Sequence, residues 1–527
     1  MSVKLATPGV YIDEKNAFPS SVVAVPTAVP AFIGYTEKTT RNGQSLVNAP
    51  VRISSLKEFH DTFGRGFIPS FQVRENLSGE GFDFEVGGKS YDVALEAKSR
   101  FLLYDSIRLF FANGGNACYV ISAGSYYKKV EKSVAVVDPK DDKKPAEKTK
   151  VQVTQANAIT KSALEAGIEV LRSEQEPTML VIPEAVMLSK EDCFALQQAM
   201  LKHCGLDTKS RFAILDVYDG HSARTYDNKD VITSFRENLG NNYLNYGAAY
   251  YPWLRTSIVQ SEEVNFSNIA NKEFLVEILE RETKETIGDG KRAEELKVEI
   301  RKIKDDNVNI ESLSQTLLMS SGVYKAILDS MRTQLNILPP SAGVAGIYTA
   351  VDNTRGVWKA PANVGYASVV TPAVKITHED QEDLNVTISG KSINAIRTFV
   401  GDGILVWGAR TLDGNSKDWR YVNVRRTLIF VEQSIKAAAR TYVFEPNTPN
   451  TWLLIRSMIN SFLSDLWRQG ALVGTTPEQA FQVEVGLGTT MTADDVLDGV
   501  MRITVRLAVS RPAEFIVITF EQKVQEA

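Results

Sequence analysis

The sequence predicts a multi-domain α+β protein: an α/β layer, a separate α+β domain after it, and an apolar strand near each end that another copy completes. Three observations predict it. Between Val51 and Leu254 short apolar strands alternate with helical patterns, as in a largely parallel sheet covered by helices. From Trp419 on, two long amphipathic helices are followed by strands. Finally, Phe515-Ile516-Val517-Ile518-Thr519-Phe520 is apolar on both faces. A half-solvated edge strand would alternate, so this one needs neighbours at its flanks and cover on both sides.

The 527 residues exceed what one hydrophobic core usually serves. A net charge of −5 argues against a dedicated nucleic-acid binder, which carries a basic surplus. Three cysteines without a CxxC pair indicate a reducing compartment and no disulfide framework. The start of the chain leads into no apolar signal region, and the run Val22 to Ile33 is broken by Pro26 and Pro30. The expectation is cytoplasmic synthesis without membrane insertion.

Taken in order, Thr7-Pro8-Gly9 opens a turn and Val10-Tyr11-Ile12 follows as a short apolar strand. Residues 1–20 therefore read as an arm with no core of its own. Residues 21–340 read as the α/β region. Ser55-Leu56-Lys57-Glu58 is a capping box for a helix that Gly64 ends. A helix over Tyr91–Ala112 precedes a strand at Cys118–Ile121. Helices at Ala163–Glu174, Asp192–Cys204 and Val231–Leu239 then alternate with strands at Met179–Ile182, Phe212–Val217 and Ala248–Trp253. Two stretches read as insertions. The first, about 128–150, is rich in Lys, Asp and Pro and reads as an exposed hairpin or loop. The second, about 262–320, contains the charged run Glu273–Asp306 with Gly288-Asp289-Gly290 near its middle, and reads as a helical hairpin with a solvated face.

Residues 341–510 read as the second domain. A small-residue segment, Ser341–Tyr348, is followed by strands at Val386-Thr387-Ile388, Ala395-Ile396-Arg397 and Ile404–Gly408. The helix Val424–Tyr442 has an apolar stripe of Val424, Leu428, Val431 and Ile435. Off that stripe lie Arg425, Arg426, Lys436 and Arg440, a mostly basic face. Helix Trp452–Trp467 buries Ile455, Ile459, Phe462 and Leu466 by the same spacing and stops at Gly470. Thr492 caps a short helix, and Arg502–Val509 alternates as a half-buried strand. Pro512 separates it from a C-terminal arm, residues 511–527.

A catalytic site does not assemble from these residues. The four histidines lie at no metal-ligand spacing from each other or from a cysteine. Gly88-Lys89-Ser90 and Gly390-Lys391-Ser392 lack the upstream glycine of a phosphate loop, whose place is held by Asp83 and Asn385. No catalytic, cofactor-binding or metal residues are assigned. The alternative reading is a hydrolase-like α/β enzyme using the turn Asp216-Val217-Tyr218-Asp219-Gly220-His221, which follows a strand of the layer where ligands bind in such folds.

Several stretches resemble the contractile tail sheath family of phages, phage-tail-like bacteriocins and extracellular contractile injection systems. Near the start they are Thr7–Ile12 and Val29-Pro30-Ala31-Phe32-Ile33-Gly34-Tyr35. In the middle they are Gly343–Tyr348 and Gly356-Val357-Trp358-Lys359-Ala360-Pro361. The densest run includes Val406-Trp407-Gly408-Ala409-Arg410-Thr411, Asn423-Val424-Arg425-Arg426, Phe444-Glu445-Pro446-Asn447 and Leu466-Trp467-Arg468-Gln469-Gly470. The two insertions depart from the shorter members and read as decoration on an outer surface.

The resemblance implies an inner C-terminal α+β sheath domain with exchanged terminal strands, plus an inserted outer α/β domain. It implies a non-enzymatic, cofactor-free structural subunit that polymerises into a helical tube around an inner tube and contracts. The implied partners are further copies, an inner tube protein, baseplate and terminator or cap proteins, and paralogous sheath subunits, with no direct nucleic-acid contact. Assembly in the host cytoplasm would precede incorporation into a phage-like particle. The exchanged strands would be Val10, Tyr11 and Ile12 and Phe515, Ile516, Val517, Ile518, Thr519 and Phe520. The inner tube would meet Arg425, Arg426, Lys436 and Arg440.

Overall fold

The computed structural model describes residues 22–97, 99–136, 147–305, 307–387, 389–515 and 517, with backbone alone for 129–136 and 147–154. The chain mixes helix and sheet and divides into two compact units, residues 26–425 and residues 22–25 with 426 onward.

The larger unit is built on a nine-stranded sheet. Its strands lie in the order Val364–Gly365, Gly403–Trp407, Asn394–Phe399, Gly247–Tyr251, Phe212–Asp216, Met179–Val181, Pro30–Thr36, Cys118–Ser125 and Pro50–Ile53. The run from Asn394–Phe399 to Cys118–Ser125 is parallel, and the outer strands are antiparallel. Pro30–Thr36, Phe212–Asp216 and Gly247–Tyr251 are buried along their whole length. That is why these strands read as continuous apolar runs rather than alternating ones.

The register of Pro30–Thr36 against Cys118–Ser125 slips between Gly34 and Tyr35. Glu184, fully buried, occupies the slip and accepts the Tyr35 N–H at 2.9 Å and the Leu103 N–H at 3.3 Å. Leu103 opens the helix Leu103–Ala112, so one carboxyl ties a strand to an orphan donor at a helix start. A Cβ on Gly34 would stand 2.9 Å from Leu103 Cβ, so glycine here is demanded by close approach.

A second core lies in the same unit. The antiparallel strands Phe71–Glu75, Lys89–Leu95 and Phe84–Val86 pack Phe71, Val73, Tyr91 and Val93 against Leu275, Leu279, Ile327 and Met331. The charged 262–320 stretch thus supplies half a core as well as a solvated face. Its helices Lys272–Ile287 and Lys291–Arg301 flank the expected glycine turn. The described residues of the 128–150 stretch belong to an antiparallel ribbon, Tyr127–Val136 with Glu147–Ala156.

Two local expectations are corrected, at Tyr91–Ala112 and at Val386-Thr387. Tyr91–Ala112 is not one helix. Gly87 and Gly88, at φ 62° and 66°, turn the chain into the strand Lys89–Leu95, and the helix starts only at Leu103. Ser341–Tyr348 belongs to the buried helix Ser341–Arg355. Its small residues permit close packing: a Cβ on Gly346 would lie 2.5 Å from the Phe110 carbonyl oxygen. No strand is formed at Val386-Thr387, which follows the helix His378–Asn385, opened by a capping box on Thr377. By its contacts the chain divides between residues 425 and 426. The reason is the parallel pairing of Tyr250 and Tyr251 with Asn394 and Ala395, which joins the later strands to the earlier sheet.

Candidate assembly surface

The smaller unit begins within the helix Val422–Ala439. Helix Pro449–Arg468 starts on proline, whose missing N–H is no loss there, and buries Ile455, Met458, Ile459, Phe462 and Leu463. Phe462 meets Phe430 with ring centroids 6.1 Å apart. Phe481–Val485 and Ile503–Leu507 then pair as an antiparallel hairpin. Leu472 bridges Val509, and the Ser510 N–H donates to the Ala471 carbonyl at 3.0 Å. Between the strands, Thr492 and Asp495 cap the short helix Ala493–Leu497 reciprocally. The Thr492 N–H and the Arg502 guanidinium hold the Asp495 carboxyl down at about 2.

A two-stranded hairpin is marginal by itself. Among the described residues no further strand pairs with either of its edges. The unit also exposes large apolar side chains, among them Phe444, Leu453, Leu497 and Val473. Exposed apolar side chains in a unit that also keeps open strand edges suit it to contact with another chain.

Of the expected arm strands, Phe515 and Val517 are described and stand 72% and 88% exposed. Val10, Tyr11, Ile12, Ile516, Ile518, Thr519 and Phe520 lie outside the described residues.

The four residues of the expected basic face differ in burial. Arg425 and Arg426 are 3% and 4% exposed. The Arg425 guanidinium lies over the Trp419 ring at 4.5 Å and the Tyr246 ring at 4.6 Å, partners suited to a desolvated cation. Residues 422–427 are buried on every side of the helix, whereas a periodic stripe presumes one wet face. Lys436 and Arg440, further along, are exposed. Periodicity singles out neither Phe444, which lies in a turn, nor Leu497, which ends a helix too short to carry a stripe.

The Asp216–His221 turn is structural. Asp216 accepts the Ser341 N–H at 2.8 Å and the Ser341 hydroxyl at 2.5 Å, capping the buried helix Ser341–Arg355. Burial pushes its carboxyl up to about 7. His221 instead packs against the Trp253 ring at 5.1 Å, and the Trp253 indole donates to the Val217 carbonyl at 2.9 Å. Of the two Gly-Lys-Ser triplets, the first sits in a hairpin turn. In the second, buried Lys391 donates to the Arg236 carbonyl at 2.5 Å, so its amine faces no phosphate. Among the described residues, no three His, Cys, Asp or Glu side chains are grouped to hold a metal. Nor is any described helix long and apolar enough to cross a membrane.

Residues 282–412 match the phage tail sheath protein central domain, and residues 415–523 the phage tail sheath C-terminal domain. The chain is 26% identical over 148 residues to the tail sheath protein of Salmonella phage ViI, covering 28% of this chain and 23% of that one. The matched stretch thus spans about a quarter of that relative's length. Likeness to solved structures is end to end. The contracted-state sheath complex of an extracellular contractile injection system, PVC, is 26% identical with a TM-score of 0.57, covering 99% of each chain. The contracted helical sheath of the anti-feeding prophage is 27% identical with a TM-score of 0.57, covering 99% of this chain and 100% of that one. The matched domains, and the solved structures similar over the whole chain, are those of contractile tail sheaths.

Proposed function

We propose that this chain polymerises into a helical sheath around an inner tube and contracts to drive that tube through a target envelope. One observation carries the reading: the end-to-end likeness to sheaths solved in the contracted state. The partners are further copies, an inner tube protein, baseplate and cap proteins, and paralogous sheath subunits. Assembly takes place in the bacterial host cytoplasm.

Copies are linked by strands at Val10–Ile12 and Phe515–Phe520, added to open edges on neighbours. The unpaired hairpin edges and the exposure of Phe515 and Val517 support this. The inner tube meets Lys436, one of the two members of the basic face that stay exposed. Purified full-length protein is expected to form striated tubes of two lengths in negative stain; persistent monomers in every buffer would end the sheath reading. Lys436→Glu is expected to weaken co-sedimentation of sheath with inner tube, and an unchanged yield would count against that contact.

A further inference from the structure

The corner between the two long helices carries a side chain that the fold itself does not use. Phe444 is fully exposed, at 102%, and its backbone sits at φ 72°. A bulky aromatic in the left-handed region is strained, and such strain persists only where the surroundings impose it. Here they do. Asn447 donates from Nδ2 to the Val500 carbonyl at 3.2 Å and accepts the Trp452 indole N–H at 2.6 Å. The Thr451 hydroxyl donates to the Pro446 carbonyl at 2.7 Å. The corner is held from beneath while Phe444 is presented to solvent, with exposed Arg440 one turn before it.

The same unit carries a surface of opposite character. On the short helix Ala493–Leu497 and the residue that caps it, Asp494 has Leu497 three residues on and Asp498 four, the spacings at which helix side chains are neighbours. Leu497 is 84% exposed, and both aspartates are exposed. Asp495, by contrast, is taken up by its cap and by Arg502. Within one copy the two surfaces do not meet, since Phe444 and Leu497 are both bare.

We propose that Phe444 and Arg440 of one copy dock on Leu497, Asp494 and Asp498 of the next. The aromatic ring covers the exposed leucine while the guanidinium pairs with the carboxylates. This rests on the sheath reading, which supplies the neighbouring copy. It assigns Arg440 to the contact between copies and leaves Lys436 to the inner tube.

The test uses full-length chains and sedimentation with negative stain. Phe444→Asn removes the ring and places at φ 72° a residue that tolerates it. It is expected to melt no lower than the native chain, yet to lose at least tenfold of its sedimenting polymer. Arg440→Asp and Asp498→Arg are each expected to stay soluble alone, through like-charge repulsion at the contact. Mixed in equal amounts they are expected to co-polymerise, each variant meeting its complement. Native-like polymer from F444N overturns the proposal. So does a mixture that stays soluble, which would assign the knob to a different protein. A native chain that never polymerises removes the sheath reading, and this contact with it.

Discussion

A chain ended after Ser510 is expected to fold and to remain monomeric where the full-length chain forms tubes. The Ser510 N–H donates to the Ala471 carbonyl at 3.0 Å and so ties the chain to the hairpin. From Arg511 to Val517 no described residue is buried. Deleting exposed surface alters stability little, usually within about 0.5 kcal/mol. Between copies the account differs. Each ladder hydrogen bond nets roughly 0.5–1.5 kcal/mol, and burying Phe515 or Val517 adds roughly 1.5–3 kcal/mol each. An exchanged strand is therefore worth several kcal/mol at every contact in a polymer. Thermal melting, sedimentation velocity and negative stain on the two chains check this. Tubes of ordinary length from the shortened chain would refute the arm role.

The parts that were legible share a local cause. Phe212–Asp216 and Gly247–Tyr251 could be read because a strand buried on both faces writes a continuous apolar run. Gly288-Asp289-Gly290 announced the break between two helices, and Thr492 the cap of a third. What escaped depends on distant partners. The helix Ser341–Arg355 has no wet face, so no apolar stripe could mark it. Its serine, alanine and glycine are chosen by Phe110, Tyr366 and Asp216 pressing in from elsewhere in the chain. Arg425 looked like surface because charge usually means water, yet Tyr246 and Trp419 enclose it. The strand Asn394–Phe399 was visible, but its place beside Gly247–Tyr251, which joins it to the earlier sheet, was not. In the assembly surface the helices were readable from their stripes, whereas the bare Phe444 depends on a strained corner that spacing does not encode.

Glu184→Ala is expected to destabilise the larger unit by about 3–5 kcal/mol. It leaves the buried N–H groups of Tyr35 and Leu103 without an acceptor, at roughly 1–3 kcal/mol each, and opens a cavity besides. The same residue sets a pH dependence. Burial pushes its carboxyl up to about 8, against the pull of the backbone amides of Tyr35, Leu103 and Leu102. The folded chain thus keeps a proton that the unfolded chain has already released, so this stabilisation is complete in acid and is lost as pH rises through about 8. Asp216, pushed by burial up to about 7, acts in the same direction. His203 opposes them: burial and then Arg211 hold it down at about 4, so its contribution is lost as pH falls toward that value. The melting temperature is therefore expected to rise as pH falls from about 8, with His203 offsetting one of the two carboxyls between 6.5 and about 4. Glu184→Gln, which cannot titrate, should flatten the upper limb by up to about 1.4 kcal/mol per pH unit. Denaturant unfolding of both chains across that range measures the slope, and an unaltered limb in E184Q would mean that the proton is held elsewhere.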